Sequence, residues 1–123
     1  MTPEEISQAV HIRPTKEMLD EKMMKIIDIR TEMEWQQTGI VPGSVCITFF
    51  DDFGNYDIDK FLEEYNKVAD KDELVGLICR TGSRTRMVTN FLRQNGYNAV
   101  NLDGGIFHLN GIGYELAPYE PSE

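Results

Sequence analysis

A cysteine followed within five positions by two arginines is the part of this sequence best suited to chemistry. Cys79 ends an apolar segment, and Arg80 and Arg84 follow it in a short polar loop. A thiol reacts as its anion, and nearby positive charge or a helix N-terminus lowers the thiol pKa by roughly 1 to 5 units from ~8.5. The sequence therefore predicts that Cys79 is a nucleophile that is largely ionised near neutral pH.

The elements around this cysteine are predicted to be a strand, a tight turn and a helix. Residues 74–78 are rich in Val, Leu and Ile, as in a buried strand. In the turn, Gly82 suits a backbone with positive φ, and Ser83 can cap the helix or donate a hydrogen bond. Backbone N–H groups of such a turn can point inward and stabilise an anion. Apolar residues at helical spacing follow, ahead of a stop signal at Gly96; they are Met87, Val88, Phe91 and Leu92.

A structural interpretation of the same residues competes with the catalytic one. A lone cysteine at the end of a strand is more often a small buried apolar residue than a nucleophile. Arg80 and Arg84 could also point into solvent or pair with some of the many carboxylates. Two arginines beside a buried thiol nevertheless have no evident packing purpose, and this favours the catalytic interpretation.

The loop CRTGSRT resembles the active-site loop of rhodanese-type sulfurtransferases. Further marks of that family occur in order at residues 26–30, 34–35, 39–44 and 102–106, so the resemblance covers about residues 6–116. One departure is Ile40, at a position that often holds histidine in the family. The resemblance implies that Cys79 carries a sulfane sulfur as a persulfide and that Arg80 and Arg84 hold an anion. It also implies that the loop residues between and after the arginines bind the substrate, namely Thr81, Gly82, Ser83 and Thr85.

The activity implied by the resemblance is sulfur transfer. A small anionic donor, thiosulfate or a persulfide, would give its outer sulfur to Cys79, and the acceptor would be cyanide or a thiol, including a protein thiol. If the cysteine is already ionised, this exchange needs no general base. We expect no cofactor, and the absence of cysteine and histidine at metal-ligand spacing argues against a metal site.

Two other functions remain open at this point. A phosphatase or arsenate reductase on the same fold needs five residues between its cysteine and arginine, whereas only four separate Cys79 from Arg84. The shorter loop fits one sulfur atom better than a tetrahedral oxyanion. A non-catalytic module for sulfur relay or partner binding is the other alternative. The cluster of Phe49, Phe50 and Phe53 motivates it, in a loop that could be a rim of the site or an exposed partner surface.

Composition restricts the class of protein and its partners. The chain has 123 residues, of which 41% are hydrophobic and 27% charged, as expected for one globular domain spanning residues 1–123. Its net charge of −9 argues against nucleic acid and anionic membranes as partners. No apolar run approaches membrane length and the charged N-terminus lacks the features of a secretion signal, so we expect a cytoplasmic protein.

Strand and helix signals alternate along the chain, without a hairpin signal. This pattern predicts an α/β fold with a mainly parallel sheet, and the family resemblance implies five strands with helices on both faces. Ligands of such folds bind at the carboxyl ends of the strands. Asp28 and Arg30 lie at the end of a predicted strand at residues 23–29 and are candidate supporting residues, or else form an ion pair that holds the loop. Cys46 is expected in the core, and residues 118–123 are expected to fray.

Overall fold

A computed structural model describes residues 1–121 of the chain, in which five strands and six helices alternate. All the strand pairs are parallel, and the strands lie in the order β1-β5-β4-β2-β3. This confirms the predicted α/β class and parallel sheet. The strands are β1 (His11–Ile12), β2 (Lys25–Asp28), β3 (Val45–Cys46), β4 (Val75–Ile78) and β5 (Ala99–Leu102).

Helices cover both faces of the sheet, as expected. Because neighbouring strand residues point to opposite faces, Ile26 and Ile27 of β2 belong to two separate apolar clusters. One cluster includes Phe61 and Tyr65, and the other includes Ile6 and Leu109. The helices are α1 (Pro3–Ala9), α2 (Lys16–Asp20), α3 (Glu32–Thr38), α4 (Ile58–Val68), α5 (Ser83–Gln94) and α6 (Gly105–Gly111).

Local sequence signals explain where several of these helices begin. Thr2 and Thr31 each accept a hydrogen bond from a backbone N–H three residues later, and the glutamate there closes a capping box. Asp57 caps α4 by accepting a bond from the N–H of Lys60. Helix α5 begins differently, because Gly82 occupies its N-cap with no side-chain hydrogen bond. Ser83 therefore does not cap the helix, and its hydroxyl lies 3.3 Å from that of Thr81.

Two expectations about burial are wrong. Cys46 is half-buried and not part of the core. Phe49 is buried whereas Phe53 is 89% exposed, so the three phenylalanines do not form one exposed cluster.

The C-terminal segment packs further along than expected. Ala117 and Ile40 exchange backbone hydrogen bonds of 2.8 Å, and the ring centroid of Tyr119 lies 5.2 Å from that of Trp35. The prediction that the chain frays from residue 118 is therefore wrong for Tyr119, which packs on Trp35. Residues 122–123, which belong to the same prediction, lie outside the part of the chain that the structure describes. Within residues 1–121, no helix combines the length and the apolar character needed to cross a bilayer.

Candidate functional site

Cys79 directly follows β4, a strand with β2 on one side and β5 on the other. It therefore lies at the carboxyl end of an inner strand, where parallel sheets bind their ligands. The residue has no exposed surface. Two backbone bonds of 2.9 Å fasten this strand end to helix α6, from the N–H of Ile106 to the Cys79 carbonyl and from that of Phe107 to the Arg80 carbonyl.

The loop after Cys79 curls around the sulfur atom. The N–H of Gly82 donates to Sγ at 3.1 Å, and the hydroxyl of Thr85 lies 3.5 Å from Sγ. Gly82 has a φ of 96°, which confirms the predicted positive φ. Burial raises the pKa of the Cys79 thiol, but hydrogen bonds from the Thr85 hydroxyl and from the N–H groups of Thr85, Gly82 and Thr81 outweigh it, so that the pKa is lowered.

Two glycines allow the close approach that closes the loop. A Cβ atom on Gly105 would lie 2.3 Å from the carbonyl oxygen of Cys79, and one on Gly82 would lie 2.9 Å from the backbone nitrogen of Gly104. Such contacts are far inside van der Waals range, so a side chain at either position would push the loop away from α6. The Gly104-Gly105 pair therefore shapes the sulfur site from outside the loop.

The two loop arginines have different surroundings. Arg84 donates two hydrogen bonds of 2.8 Å to the carboxylate of Glu34, and these bonds lower the pKa of Glu34. Arg80 is exposed, and among residues 1–121 the structure records no salt bridge for it. The loop hydrogen bonds lower the pKa of Cys79, and the charge of Arg84 also interacts with the Cys79 thiolate, because that interaction raises the pKa of Arg84.

Asp28 and Arg30 form an ion pair that is almost completely buried. Nη2 of Arg30 lies 2.9 Å from Oδ2 of Asp28, and the same guanidinium donates to the hydroxyl of Thr38 at 2.8 Å and the carbonyl of Gly39 at 3.0 Å. The pair thus ties the end of β2 to the end of α3. This matches the alternative interpretation, an ion pair that holds the loop.

Two cavities lie at this edge of the sheet. The smaller cavity, of about 220 Å³, has Arg30, Arg80 and Glu34 in its wall. It therefore opens beside residues 80–85, the loop around the Cys79 sulfur, which we call the sulfur loop. The larger, of about 520 Å³, does not include the loop and has Cys46 in its wall. Burial and the nearby charge of Asp28 raise the pKa of Cys46 to about 12, so this thiol is protonated and weakly nucleophilic at neutral pH.

The interpretation of the sequence missed two polar residues of the site. Glu34 enters the sequence analysis only through the family marks at residues 34–35, but its carboxylate also binds Arg84. Asn101 lies fully buried in β5, where its amide contacts both the Thr85 hydroxyl and Nδ1 of His11. The available signal was a single polar residue inside the apolar strand Ala99–Leu102, because a buried amide needs partners.

Known proteins resemble this chain over most of its length. The family model described as the rhodanese-like domain matches residues 6–110. The Bacillus subtilis (strain 168) protein "Putative sulfurtransferase YtwF" is 30% identical over 86 residues, which cover 70% of this chain and 73% of that protein. The structure of a rhodanese-related protein from Thermoplasma volcanium has a TM-score of 0.67 at 24% identity, covering 88% of this chain and 99% of that one. SSP1007 from Staphylococcus saprophyticus has a TM-score of 0.59 at 30% identity, with 85% and 95% covered.

Proposed function

Because this chain belongs to the rhodanese-like domain family, we propose that it is a sulfurtransferase that carries a sulfane sulfur on Cys79. One observation carries the proposal: the pKa of a fully buried thiol is lowered by a loop whose hydrogen bonds converge on its sulfur. Burial without those bonds would keep the thiol protonated and inert. A loop that stabilises the anion of Cys79 can equally stabilise the anion of its persulfide.

The first half of the reaction loads the sulfur. The Cys79 thiolate attacks the outer sulfur of thiosulfate and forms a new S–S bond, while the original S–S bond breaks and sulfite leaves with the electron pair. With a persulfide donor the leaving group is a thiolate. The lowered pKa of Cys79 favours the thiolate, and when the attacking sulfur is ionised no proton has to move in this step.

The second half returns the free cysteine. An acceptor thiolate or cyanide attacks the terminal sulfur of the Cys79 persulfide, and Cys79 leaves as a thiolate. Its lowered pKa makes it a good leaving group, and the N–H of Gly82 is placed to receive the charge at 3.1 Å. The products are thiocyanate or the acceptor's own persulfide.

Arg80 is the loop cation best placed to attract an anionic donor. The charge of Arg84 is balanced by Glu34 at 2.8 Å, whereas Arg80 is exposed in the wall of the small cavity beside the loop. Since Cys79 has no exposed surface, a donor held at Arg80 can reach its sulfur only after the loop that follows Cys79 changes conformation. We therefore assign Arg80 to capture of the donor and Arg84 to the shape of the loop.

The test compares sulfur transfer with phosphate-ester hydrolysis in the same preparation. We expect steady-state transfer from thiosulfate to cyanide that Cys79→Ser abolishes and Cys46→Ser leaves unchanged, with no hydrolysis of p-nitrophenyl phosphate. Cys79-dependent phosphatase turnover would overturn the proposal in favour of the phosphatase alternative. Absence of turnover, with Cys79 still accepting sulfur from a donor protein, would indicate the non-catalytic relay module.

A further inference from the structure

A row of buried polar groups leads from the Cys79 sulfur to the edge of the sheet. The hydroxyl of Thr85 lies 3.5 Å from Sγ and also hydrogen-bonds to Oδ1 of Asn101. Nδ2 of the same amide lies 3.1 Å from Nδ1 of His11, on the edge strand β1. Thr85 and Asn101 have no exposed surface, while His11 is partly exposed. The row therefore begins at the buried thiol and ends at solvent.

Buried polar side chains such as those of Thr85 and Asn101 are energetically unfavourable in the interior of a protein unless they are hydrogen-bonded. Burying an amide or a hydroxyl destabilises the fold unless each polar atom finds a partner, whereas an apolar residue in β5 would carry no such penalty. Joining β1 to β5 does not require the side chains, because the N–H of Asn101 already donates to the carbonyl of Val10 at 2.7 Å. A role at the sulfur explains why Asn101 carries an amide.

The position of the Thr85 hydroxyl proton distinguishes two hydrogen-bond arrangements of this row. The Thr85 hydroxyl has one proton and three acceptors within reach, which are Sγ of Cys79, the carbonyl of Gly82 at 3.2 Å and Oδ1 of Asn101. While it donates to Asn101 or to Gly82, the hydroxyl can only accept from a Cys79 thiol. If the Asn101 side-chain amide rotates by about 180°, its Nδ2 donates to the Thr85 hydroxyl and its Oδ1 accepts from an N–H at Nδ1 of His11. The Thr85 hydroxyl proton is then free to be donated to Sγ of Cys79.

Resting on the sulfurtransferase function above, we propose that His11 and Asn101 are positioning residues that direct the Thr85 hydroxyl proton toward Cys79 when its sulfur is anionic. The two arrangements of the row match the two states of the sulfur. With a protonated thiol, Thr85 accepts from it and donates to Asn101; with a thiolate or persulfide anion, Thr85 donates to the sulfur. His11 adapts by changing the ring nitrogen that carries its proton.

The test is a double-mutant cycle read out on the Cys79 thiol itself. Thiolate formation is followed by ultraviolet absorbance against pH in the Cys46→Ser protein, a readout that does not require sulfur transfer. We expect Thr85→Val to raise the Cys79 pKa by about one unit and Thr85→Ser to restore it, because serine keeps the hydroxyl. His11→Phe should raise the same pKa by roughly half a unit, which is about a threefold loss of thiolate below the pKa.

The double-mutant cycle distinguishes an effect of His11 that passes through Thr85 from a merely structural contact of His11. If His11 acts through Thr85, His11→Phe has no further effect in the Thr85→Val background. His108→Phe removes the other histidine, which hydrogen-bonds to Pro14, and should leave the thiol titration unchanged. His11→Gln, which retains a side-chain N–H and C=O, should restore part of the effect if the phenylalanine variant is poorly folded.

Two results would overturn the proposal. One is an equal pKa shift by His11→Phe in both backgrounds, and the other is no shift at all in a protein whose thermal unfolding is unchanged. Either can occur while sulfur transfer is intact, and the predicted coupling can be observed even if transfer from thiosulfate is absent. The outcome is therefore independent of the test of the proposed function.

Discussion

The guanidinium of Arg84 binds both carboxylate oxygens of Glu34 at 2.8 Å, although 50 positions separate the two residues. Through this contact helix α3 holds the first turn of α5, which carries the sulfur loop at its N-terminus. The contact also neutralises one of the two positive charges in the loop. Arg84 therefore supports the loop, and Arg80 remains as the exposed cation.

Removing the Glu34 charge should strengthen donor binding. In Glu34→Gln the positive charge of Arg84 is no longer balanced, so KM for thiosulfate should fall by roughly threefold, the effect of one partly exposed charge. Steady-state kinetics measure it. Glu32→Gln is the matched control, because it removes the same charge from the same helix without a salt bridge to the loop. An equal fall in KM for both variants would mean that net charge alone is responsible.

Breaking the buried pair of Asp28 and Arg30 should destabilise the fold severely. Asp28→Asn leaves the buried guanidinium without its counter-ion, and we expect a loss of about 3–5 kcal/mol in the free energy of unfolding. Urea denaturation gives this value.

A double variant serves as its control. Asp28→Asn combined with Arg30→Met removes both charges, so it should be less destabilised than Asp28→Asn alone. A double variant that is as destabilised as Asp28→Asn, or more, would contradict the assignment of the loss to an unpaired buried charge.

The sequence was most informative where the signals are local. Residues 74–85 contain their own strand, turn and helix start, so the position of Cys79 and the positive φ of Gly82 could be predicted. The environment of Arg84 could not, because its partner lies on another helix and no local pattern links them. That the loop hydrogen bonds outweigh the arginine charges in lowering the thiol pKa could not be predicted either, since distant packing decides where a long side chain points.

Burial was the other feature that local patterns could not supply. Helical spacing shows which residues share a face and not how wide the buried stripe is, so the 50% exposure of Met87 could not be predicted. Likewise, Cys46 lies in β3 yet borders the larger cavity, because β3 is an edge strand with only two residues. The contact between Tyr119 and Trp35 joins residues 84 positions apart and has no sequence signal.

Adding one methyl group at Gly105 should disrupt the sulfur site. Gly105→Ala places a Cβ atom 2.3 Å from the Cys79 carbonyl, at a φ of 54°, and we expect a loss of roughly 2–5 kcal/mol in stability together with loss of sulfur transfer. Gly111→Ala, in the same helix, has open space around its Cβ position and should be neutral or stabilising by up to roughly 1 kcal/mol. Thermal unfolding of both variants compares them, and a stable, active Gly105→Ala protein would contradict the close approach.

The ionised Cys79 should make the protein more stable as the pH rises. Its pKa is lower in the folded state than in the unfolded chain, so the unfolded chain binds more protons between the two values. The resulting stability is lost as the pH falls through the folded-state pKa and is fully present above ~8.5, the unfolded value. Urea denaturation of the Cys46→Ser protein at several pH values, with Cys79→Ser added as reference, isolates this contribution.

Cys46 has to be absent from that experiment because its effect has the opposite sign. Its pKa is raised to about 12 in the folded state, so its contribution is present below ~8.5 and is lost as the pH rises above that value. If the difference between the two remaining proteins does not grow with pH, Cys79 is not stabilised as an anion.

Intact-mass spectrometry after incubation with thiosulfate tests the central claim most directly. The wild-type protein and Cys46→Ser should each gain one sulfur atom, lost again on addition of cyanide, because the pKa of Cys79 is lowered whereas that of Cys46 is raised to about 12. Cys79→Ser should gain none. A sulfur gain that persists in Cys79→Ser, or that disappears in Cys46→Ser, would contradict the assignment of Cys79 as the sulfur carrier.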